Sequence, residues 1–148
     1  MDNQTIVNSL DQLLQGTYMG ISFFEDLKNL TKNQRIHSQF EEILSILSQH
    51  KTALSKAILF YHGEVNEEKL STMMGEMMSK FKNLMLSDEG SILQEAAKGI
   101  DMGIKQLKDF NDQNFALAPA VAKDIKIMDD DYQSIKHQIH KLFIEFQG

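Results

Sequence analysis

The sequence contains no cysteine and only one proline among its 148 residues, with eight glycines. The absence of cysteine excludes disulfides, thiolate nucleophiles, iron–sulfur clusters and zinc sites with thiolate ligands. It also predicts a reducing compartment, so we expect a cytoplasmic protein. With so little proline and glycine, the chain has few of the turns that an all-β domain requires, and the composition favours helices.

Long hydrophobic runs and an excess of positive charge are also missing. No apolar run approaches the length that crosses a bilayer, and no basic segment followed by an apolar one indicates a secretion signal. We therefore expect a soluble, unsecreted protein that does not bind membranes. The net charge of −6 provides no basic surface for nucleic acid. The length predicts a single domain over residues 1–148.

What the sequence does contain is apolar residues at alternating spacings of three and four, the pattern of amphipathic helices. The inward positions predicted for the first helix are Ile6, Leu10, Leu13, Thr17, Gly20, Phe24 and Leu27. Those of the second helix are Ile36, Phe40, Ile43, Leu47, His50, Leu54, Ala57 and Tyr61. Those of the third are Leu93, Ala97, Ile100, Ile104 and Leu107. Those of the fourth are Val121, Ile125, Met128, Tyr132, Ile135, Ile139, Leu142 and Phe146.

Signals at the helix ends agree with this division. Thr31, followed by Gln34, predicts a capping box at the start of the second helix, and Gly63 predicts its end. Ser87 has the character of an N-cap for the third helix. Pro119 suits the first position of the fourth helix.

The long middle connection decides the topology. A shorter amphipathic segment lies between residues 66 and 86, where an up-down-up-down bundle would need only a few residues. We therefore predict an all-α, ferritin-like four-helix bundle, with an extra short helix in a long crossover that makes the second and third helices parallel. An up-down-up-down bundle with an extra docked helix is the alternative.

Three segments carry a resemblance to a known family: LLQGTYMGISFFEDL, FEEILSILSQHKTALSKAI and ILQEAAKGIDMGIKQL. They resemble the first three core helices of an uncharacterised bacterial ferritin-like domain family. The resemblance implies the fold and no settled activity. It also implies a Gly-Glu pair in the third core helix, where this sequence has Gly99 and Ile100. That departure argues against inherited metal chemistry.

The pattern of histidines argues against a di-iron site. Such a bundle uses a carboxylate from each of two helices and a Glu-x-x-His pair from each of the other two. None of the five histidines has a carboxylate three residues before it. We therefore expect no cofactor. The alternative is iron or another transition metal at a degenerate site, for which the candidate ligands are Glu25, His50, Asp101, Asp129 and Asp131.

His50 lies on the inward stripe of the second helix, and two interpretations remain open. It is either a neutral core histidine bonded to Thr17, Tyr18, Tyr132 or a trapped water, or a ligand or proton carrier in the degenerate site. His137 and His140, at i and i+3, either chelate a surface metal or are simply solvated.

Two further patterns are unfavourable in a helix and need an explanation. The first is the run of three aspartates ending at Asp131, which is either a solvated face relieved by neighbouring lysines or a contact for a cation or partner. The second is a pair of interior glycines in the first helix and another in the third, at Gly16, Gly20, Gly99 and Gly103. Close helix packing or a slot for a small ligand explains the glycines.

Methionine is concentrated in the middle segment. Met73, Met74, Met77, Met78 and Met85 fall within little more than three helical turns. Methionine fills irregular core gaps and also serves adaptable binding surfaces. Because Met73 and Met77 are on the flank of the predicted helix, they are candidate residues of a homodimer or partner interface, against the alternative of an intramolecular lid.

No recognisable serine–histidine spacing or glycine-rich phosphate loop supports an enzyme. We therefore predict a non-enzymatic ferritin-like module that acts through partner binding or self-association. The alternative is a metal-dependent, iron-handling or oxidoreductase protein with a degenerate metal site.

Overall fold

The computed structural model describes residues 3–73 and 88–147, and in these residues the secondary structure is helical, without strands. Four long helices are formed, and residues 67–73 are also helical. The long helices are α1 (Asn3–Leu30), α2 (Gln34–Phe60), α3 (Glu89–Asp112) and α4 (Pro119–Gln147). The prediction of an all-α bundle is confirmed. None of the described helices is long and apolar enough to cross a membrane.

Hydrogen bonds between helices fix their directions. At one end of the bundle Thr31 donates to the carboxylate of Glu89, and at the other Ser9 lies 3.3 Å from Gln113. These bonds join the end of α1 to the start of α3, and the start of α1 to the end of α3. The two helices are therefore antiparallel neighbours.

The same reasoning applies to α2 and α4. Arg35, in the first turn of α2, bonds to Glu145 near the end of α4. Tyr61, at the end of α2, accepts from the backbone N–H of Ala118, immediately before α4. These two helices are also antiparallel neighbours.

The three-residue connection between Leu30 and Gln34 makes α1 and α2, which pack together, antiparallel as well. Together these directions make α2 parallel to α3, as the long middle connection predicts. In the described structure each of these two helices packs against α1 and α4 rather than against the other, so they are diagonal in the bundle. The connection starts at the Tyr61 end of the bundle and returns at Glu89 to the opposite end. It therefore spans the length of the bundle.

The inward stripes form the core almost as predicted. All eight predicted positions of α2 are buried, and so are the α4 positions from Val121 to Leu142. Phe146, predicted to lie inward, is 38% exposed instead. It lies beyond Glu145, which already pairs with the first turn of α2, so none of the four described long helices extends far enough to cover it.

Two predicted helix caps are replaced by neighbouring residues. The N-cap of α2 is Asn33, whose side chain accepts from the backbone of Arg35 and Ile36, whereas Thr31 is engaged by Glu89. The N-cap of α3 is Asp88, which accepts from the N–H of Ser91. Ser87 lies outside the described residues. In both cases an Asn or Asp side chain satisfies the free N–H groups of the first turn.

Gly63 follows the end of α2 as predicted, but another residue adopts the left-handed conformation there. His62 has φ 64°, and the N–H of Gly63 donates to the carbonyl of Ile58, as in a Schellman motif. Glycine is needed at 63 for space, because a Cβ there would lie 2.6 Å from Val7 Cγ1. The glycine thus allows the turn to pack on α1.

Candidate functional site

A buried polar centre lies between α2 and α4, about halfway along the bundle. His50 is 2% exposed, and its Nε2 lies 2.8 Å from Oδ2 of Asp131. Burial lowers the pKa of His50 below its ordinary value of 6.5, although the Asp131 carboxylate opposes this shift. The imidazole is therefore neutral at pH 7, and its Nε2–H donates to Asp131.

The other ring nitrogen of His50 is a buried acceptor. Nδ1 has no hydrogen-bond partner among residues 3–73 and 88–147, and a neutral imidazole that donates from Nε2 has a lone pair there. The ring meets Tyr132 edge to face, with 5.3 Å between the ring centres. Tyr132, one of the partners predicted for a structural histidine, thus contacts the ring of His50. The hydrogen bond of His50 is made with Asp131 instead.

Tyr132 connects this centre to α1 through a chain of hydroxyl groups. Its side chain hydrogen-bonds to Thr17, and the hydroxyl of Thr17 donates to the carbonyl oxygen of Leu13 at 2.9 Å. Because Thr17 has one proton to donate, the hydroxyl of Tyr132 is the donor in the first bond. Burial raises the pKa of Tyr132 to about 12, so the phenol stays protonated at neutral pH.

The other candidate metal ligands are not assembled around His50. Glu25 pairs with Lys28 one turn along α1, and Asp101 pairs with Lys136 at 3.1 Å. Within the described ranges, no group of three or more histidines and acidic side chains is arranged to hold a metal ion. The structure brings together His50 and Asp131 from the candidate set.

The aspartate run is divided among different surroundings. Asp130 pairs with Lys126 at 2.7 Å, Asp131 pairs with His50, and Asp129 is half-buried. Both pairs reduce the repulsion among the aspartates. The solvated-face interpretation included such pairing with lysines and with a neighbouring helix. His137 and His140 are both exposed on α4.

A cavity of about 230 Å³ lies between α1 and α3. We call it the α1–α3 slot, and it is lined by the two glycine pairs of α1 and α3: Gly16, Gly20, Gly99 and Gly103. Its inner wall includes Phe24, Leu47, Ile100 and Tyr132, which are all buried, whereas Lys98, Met102 and Gln106 at its outer edge are exposed. As far as residues 3–73 and 88–147 define it, the slot is therefore an apolar recess between two helices that is open at its outer edge.

Three of these glycines have side chains packed against them, and the fourth does not. A Cβ at Gly99 would lie 2.5 Å from the ring of Phe23, one at Gly103 would lie 2.9 Å from the ring of Tyr132, and one at Gly16 would meet the end of Gln106. At Gly20 the nearest atom is a Leu47 methyl at 3.6 Å, an ordinary contact distance. Packing thus explains Gly99 and Gly103, but it does not explain Gly20.

Comparison with protein families places these elements in a known group. A family model described as a domain of unknown function (DUF2383) matches residues 5–113, about three quarters of the chain. The chain belongs to the DUF2383 family. No curated protein and no solved structure matches it.

The DUF2383 match covers α1, α2 and α3 and ends before α4 begins. It therefore contains both glycine-lined walls of the slot and His50. Asp131 and Tyr132, which pair with or pack on His50, lie on α4 outside the matched range. The polar centre combines residues inside and outside the DUF2383 match.

Sequence reasoning noticed the glycines but did not place them around one cavity. The signal was the shared spacing of four residues in Gly16 and Gly20 and in Gly99 and Gly103. Because α1 and α3 are antiparallel, these two pairs face each other. The distinction between Gly20 and the other three depends on the side chains of neighbouring helices, which the local pattern does not contain.

Proposed function

We propose that this DUF2383 protein is a non-enzymatic, ferritin-like helical module that acts by binding a partner or by self-association, with the α1–α3 slot as a binding site. The parallel arrangement of α2 and α3 supports the ferritin-like assignment. The acidic, cysteine-free composition supports a cytoplasmic location.

The observation that carries this proposal is that a Cβ would fit beside Gly20 without displacing any neighbour. Glycine inside a helix costs about 1 kcal/mol of stability relative to alanine. A Cβ at Gly20 would lie 3.6 Å from its nearest neighbour, a methyl group of Leu47, and would therefore fit. Stability alone therefore favours alanine at this position. A site that must remain open for a ligand favours glycine.

The groups that line the slot suit binding better than catalysis. The phenol of Tyr132, with its raised pKa, is a poor base at neutral pH. Glu95 and Lys98 at the outer edge pair with each other at 3.1 Å. His50 is separated from the slot by the ring of Tyr132 and is not among its lining residues.

The proposal is tested by comparing the wild-type protein with Gly20→Leu, which fills the slot. Native mass spectrometry and sedimentation of protein purified under mild conditions measure retained molecules and self-association. We expect the wild type to retain a molecule or to self-associate, and the variant to lose that property while keeping its helical circular dichroism. A wild type that is a bare monomer at all accessible concentrations contradicts the proposal.

The alternative function, metal handling at a degenerate site, is favoured by the buried acceptor Nδ1 of His50 and by its pairing with Asp131. Histidine ligands are commonly oriented by a carboxylate in this way. Metal analysis of untagged protein tests this alternative. Near-stoichiometric iron or another transition metal in the wild type, absent from His50→Leu, favours the alternative over the binding module.

Self-association through the methionine-rich segment is a separate part of the proposal. Met73 is half-buried in the structure, and Met77 lies outside the described residues. The double variant Met73→Glu and Met77→Glu tests this part through solution mass and thermal stability. We expect a dimer to become a folded monomer. An unchanged mass with a large loss of stability assigns these methionines to the core instead.

A further inference from the structure

We propose that the α1–α3 slot binds a small, uncharged, planar aromatic molecule of about two fused rings that carries one N–H or O–H donor. This inference rests on the proposed binding function and gives the chemical class of the ligand.

The size of the slot sets the size of the ligand. An apolar cavity of about 150 Å³ in another protein stays dry and binds benzene. The slot, at about 230 Å³, is roughly 1.5 times larger, which corresponds to about nine ring atoms instead of six. A fused five- and six-membered ring system has this size.

The walls of the slot favour a flat aromatic body. Phe23 and Tyr132 pack their rings over Gly99 and Gly103, while Gly20, which has no side chain of its own, lines the wall beside a methyl group of Leu47. A planar ring can lie against such a surface more closely than a branched aliphatic chain. Met19 also lines the slot, and thioether sulfur makes favourable contacts with aromatic rings.

The outer edge of the slot favours a neutral ligand. Its two charged residues, Glu95 and Lys98, form an ion pair at 3.1 Å, so neither is left without a counter-charge. The other outer residues are the exposed Met102 and Gln106. A charged ligand that entered this recess would lose its hydration, and it would find no unpaired charge of opposite sign to replace it.

The hydroxyl of Tyr132 defines the polar group of the ligand. Its oxygen would lie 3.2 Å from a Cβ built on Gly103, which places it at the wall of the slot. Its proton is donated to Thr17, whose own proton is donated to Leu13. The phenol oxygen can therefore accept a hydrogen bond from a ligand but has no proton to give. A ligand with a donor group matches this acceptor.

The experiment uses two probes of nearly equal shape, indole and benzofuran. Indole has an N–H donor, and benzofuran has an oxygen in its place. Protein labelled with ¹³C at the methionine methyl groups reports binding at Met19 and Met102, which both line the slot. We expect saturable shifts of these two methyl signals with indole, with a Kd between about 10 μM and 1 mM, and several-fold weaker binding of benzofuran.

Two variants locate the binding in the slot, and one matched control accompanies them. Gly20→Leu fills the slot and is expected to abolish the indole-dependent shifts. If Gly20→Leu fails to fold, Gly20→Ala replaces it, with an expected affinity loss of several-fold. Ala122→Leu adds the same side chain at an exposed position of α4 and is expected to bind indole as the wild type does.

A third variant tests the acceptor. Tyr132→Phe removes the phenol oxygen and is expected to bind indole and benzofuran with equal affinity. An indole preference that persists in this variant overturns the assignment of Tyr132 as the acceptor.

Two results overturn the ligand class as a whole. One is the absence of shifts at Met19 and Met102 up to the solubility limit of indole. The other is unchanged indole binding in a folded Gly20→Leu protein. The binding function itself is judged separately, because a retained molecule or self-association that depends on Gly20 supports it even if indole does not bind.

Discussion

The two interfaces between the helical hairpins are built in different ways. α1 and α3 approach each other closely along more of their length than α2 and α4 do, and glycines line their contact. α2 and α4 are joined by polar side chains at successive levels, from the Arg35–Glu145 pair to the bond between Tyr61 and Ala118. One interface depends on small residues and the other on long polar ones.

This difference shows where the bundle is adaptable. At the α2–α4 interface a polar side chain that loses its partner can often turn to water, because several of these groups are partly exposed. At the α1–α3 interface a Cβ added at Gly99 or Gly103 has to displace a buried ring, whereas at Gly16 it meets only the end of Gln106 and at Gly20 it makes an ordinary contact. Substitutions at both interfaces test this contrast.

Gly99→Ala should destabilise the protein the most. The new Cβ would lie 2.5 Å from the ring of Phe23, a side chain that is 7% exposed and would have to shift. Overpacking of this kind costs about 1–3 kcal/mol, against a gain of about 1 kcal/mol in helix propensity. Urea denaturation measures the net loss. A variant as stable as the wild type would show that the close packing at Gly99 is not required.

Gly20→Ala should have the opposite sign. The new methyl group makes only an ordinary contact with Leu47, so the gain in helix propensity of about 0.5–1 kcal/mol is retained. The same urea experiment, with the Gly99 variant beside it, measures the gain. Loss of stability at Gly20 would remove the contrast between the two glycines and the main support for an open slot.

The His50–Asp131 pair should make stability depend on pH. Because the pKa of His50 is lowered in the folded protein, the unfolded chain binds a proton more readily below pH 6.5. The contribution of neutral His50 to the free energy of unfolding is therefore complete above the ordinary pKa of 6.5. It is lost progressively as the pH falls toward the lowered pKa. Thermal unfolding between about pH 8 and pH 5 measures this loss.

His50→Leu is the control for this pH dependence. Above pH 7 it should cost less than about 1 kcal/mol, because the side chain of Asp131 is 31% exposed and can bond to water. Its stability should also change less than that of the wild type between pH 6.5 and 5. An equal pH dependence in both proteins would assign the effect to other groups.

Arg35→Ala should have the smallest effect. The side chain of Arg35 is 64% exposed, and exposed ion pairs contribute little after solvent screening. We expect a change of less than about 0.5 kcal/mol in urea denaturation, reduced further in 0.5 M salt. A loss above about 1 kcal/mol would indicate that this end of the α2–α4 interface is held by its polar pair.

Much of the fold was predictable because it follows from periodic patterns. The spacing of apolar residues located all four long helices, and the length of the middle connection predicted that α2 and α3 are parallel. The predicted N-cap Thr31 was wrong because its hydroxyl donates to Glu89, 58 residues along the chain. The few residues that signal a cap carry no information about a distant residue that binds the same hydroxyl group.

The candidate site was only partly predictable for a similar reason. The inward position of His50 followed from its helical stripe, but its choice of Asp131 depends on how α2 and α4 are rotated about their axes. The sequence indicated Thr17, Tyr18, Tyr132, water or an acidic ligand as partners of His50. It did not show which of these groups lies within hydrogen-bond distance of the ring. The slot required the relative positions of four helices, which periodicity within one helix does not provide.

The bond between Ala118 and Tyr61 has a consequence for hydrogen exchange. The amide proton of Ala118, immediately before α4, is donated at 2.9 Å to the hydroxyl of Tyr61, immediately after α2. The protection of this amide from exchange therefore depends on the end of α2 as well as on the start of α4. Fraying of α4 alone does not account for its exchange. The exchange rate of this single amide thus reports the free energy of separating the two helix ends.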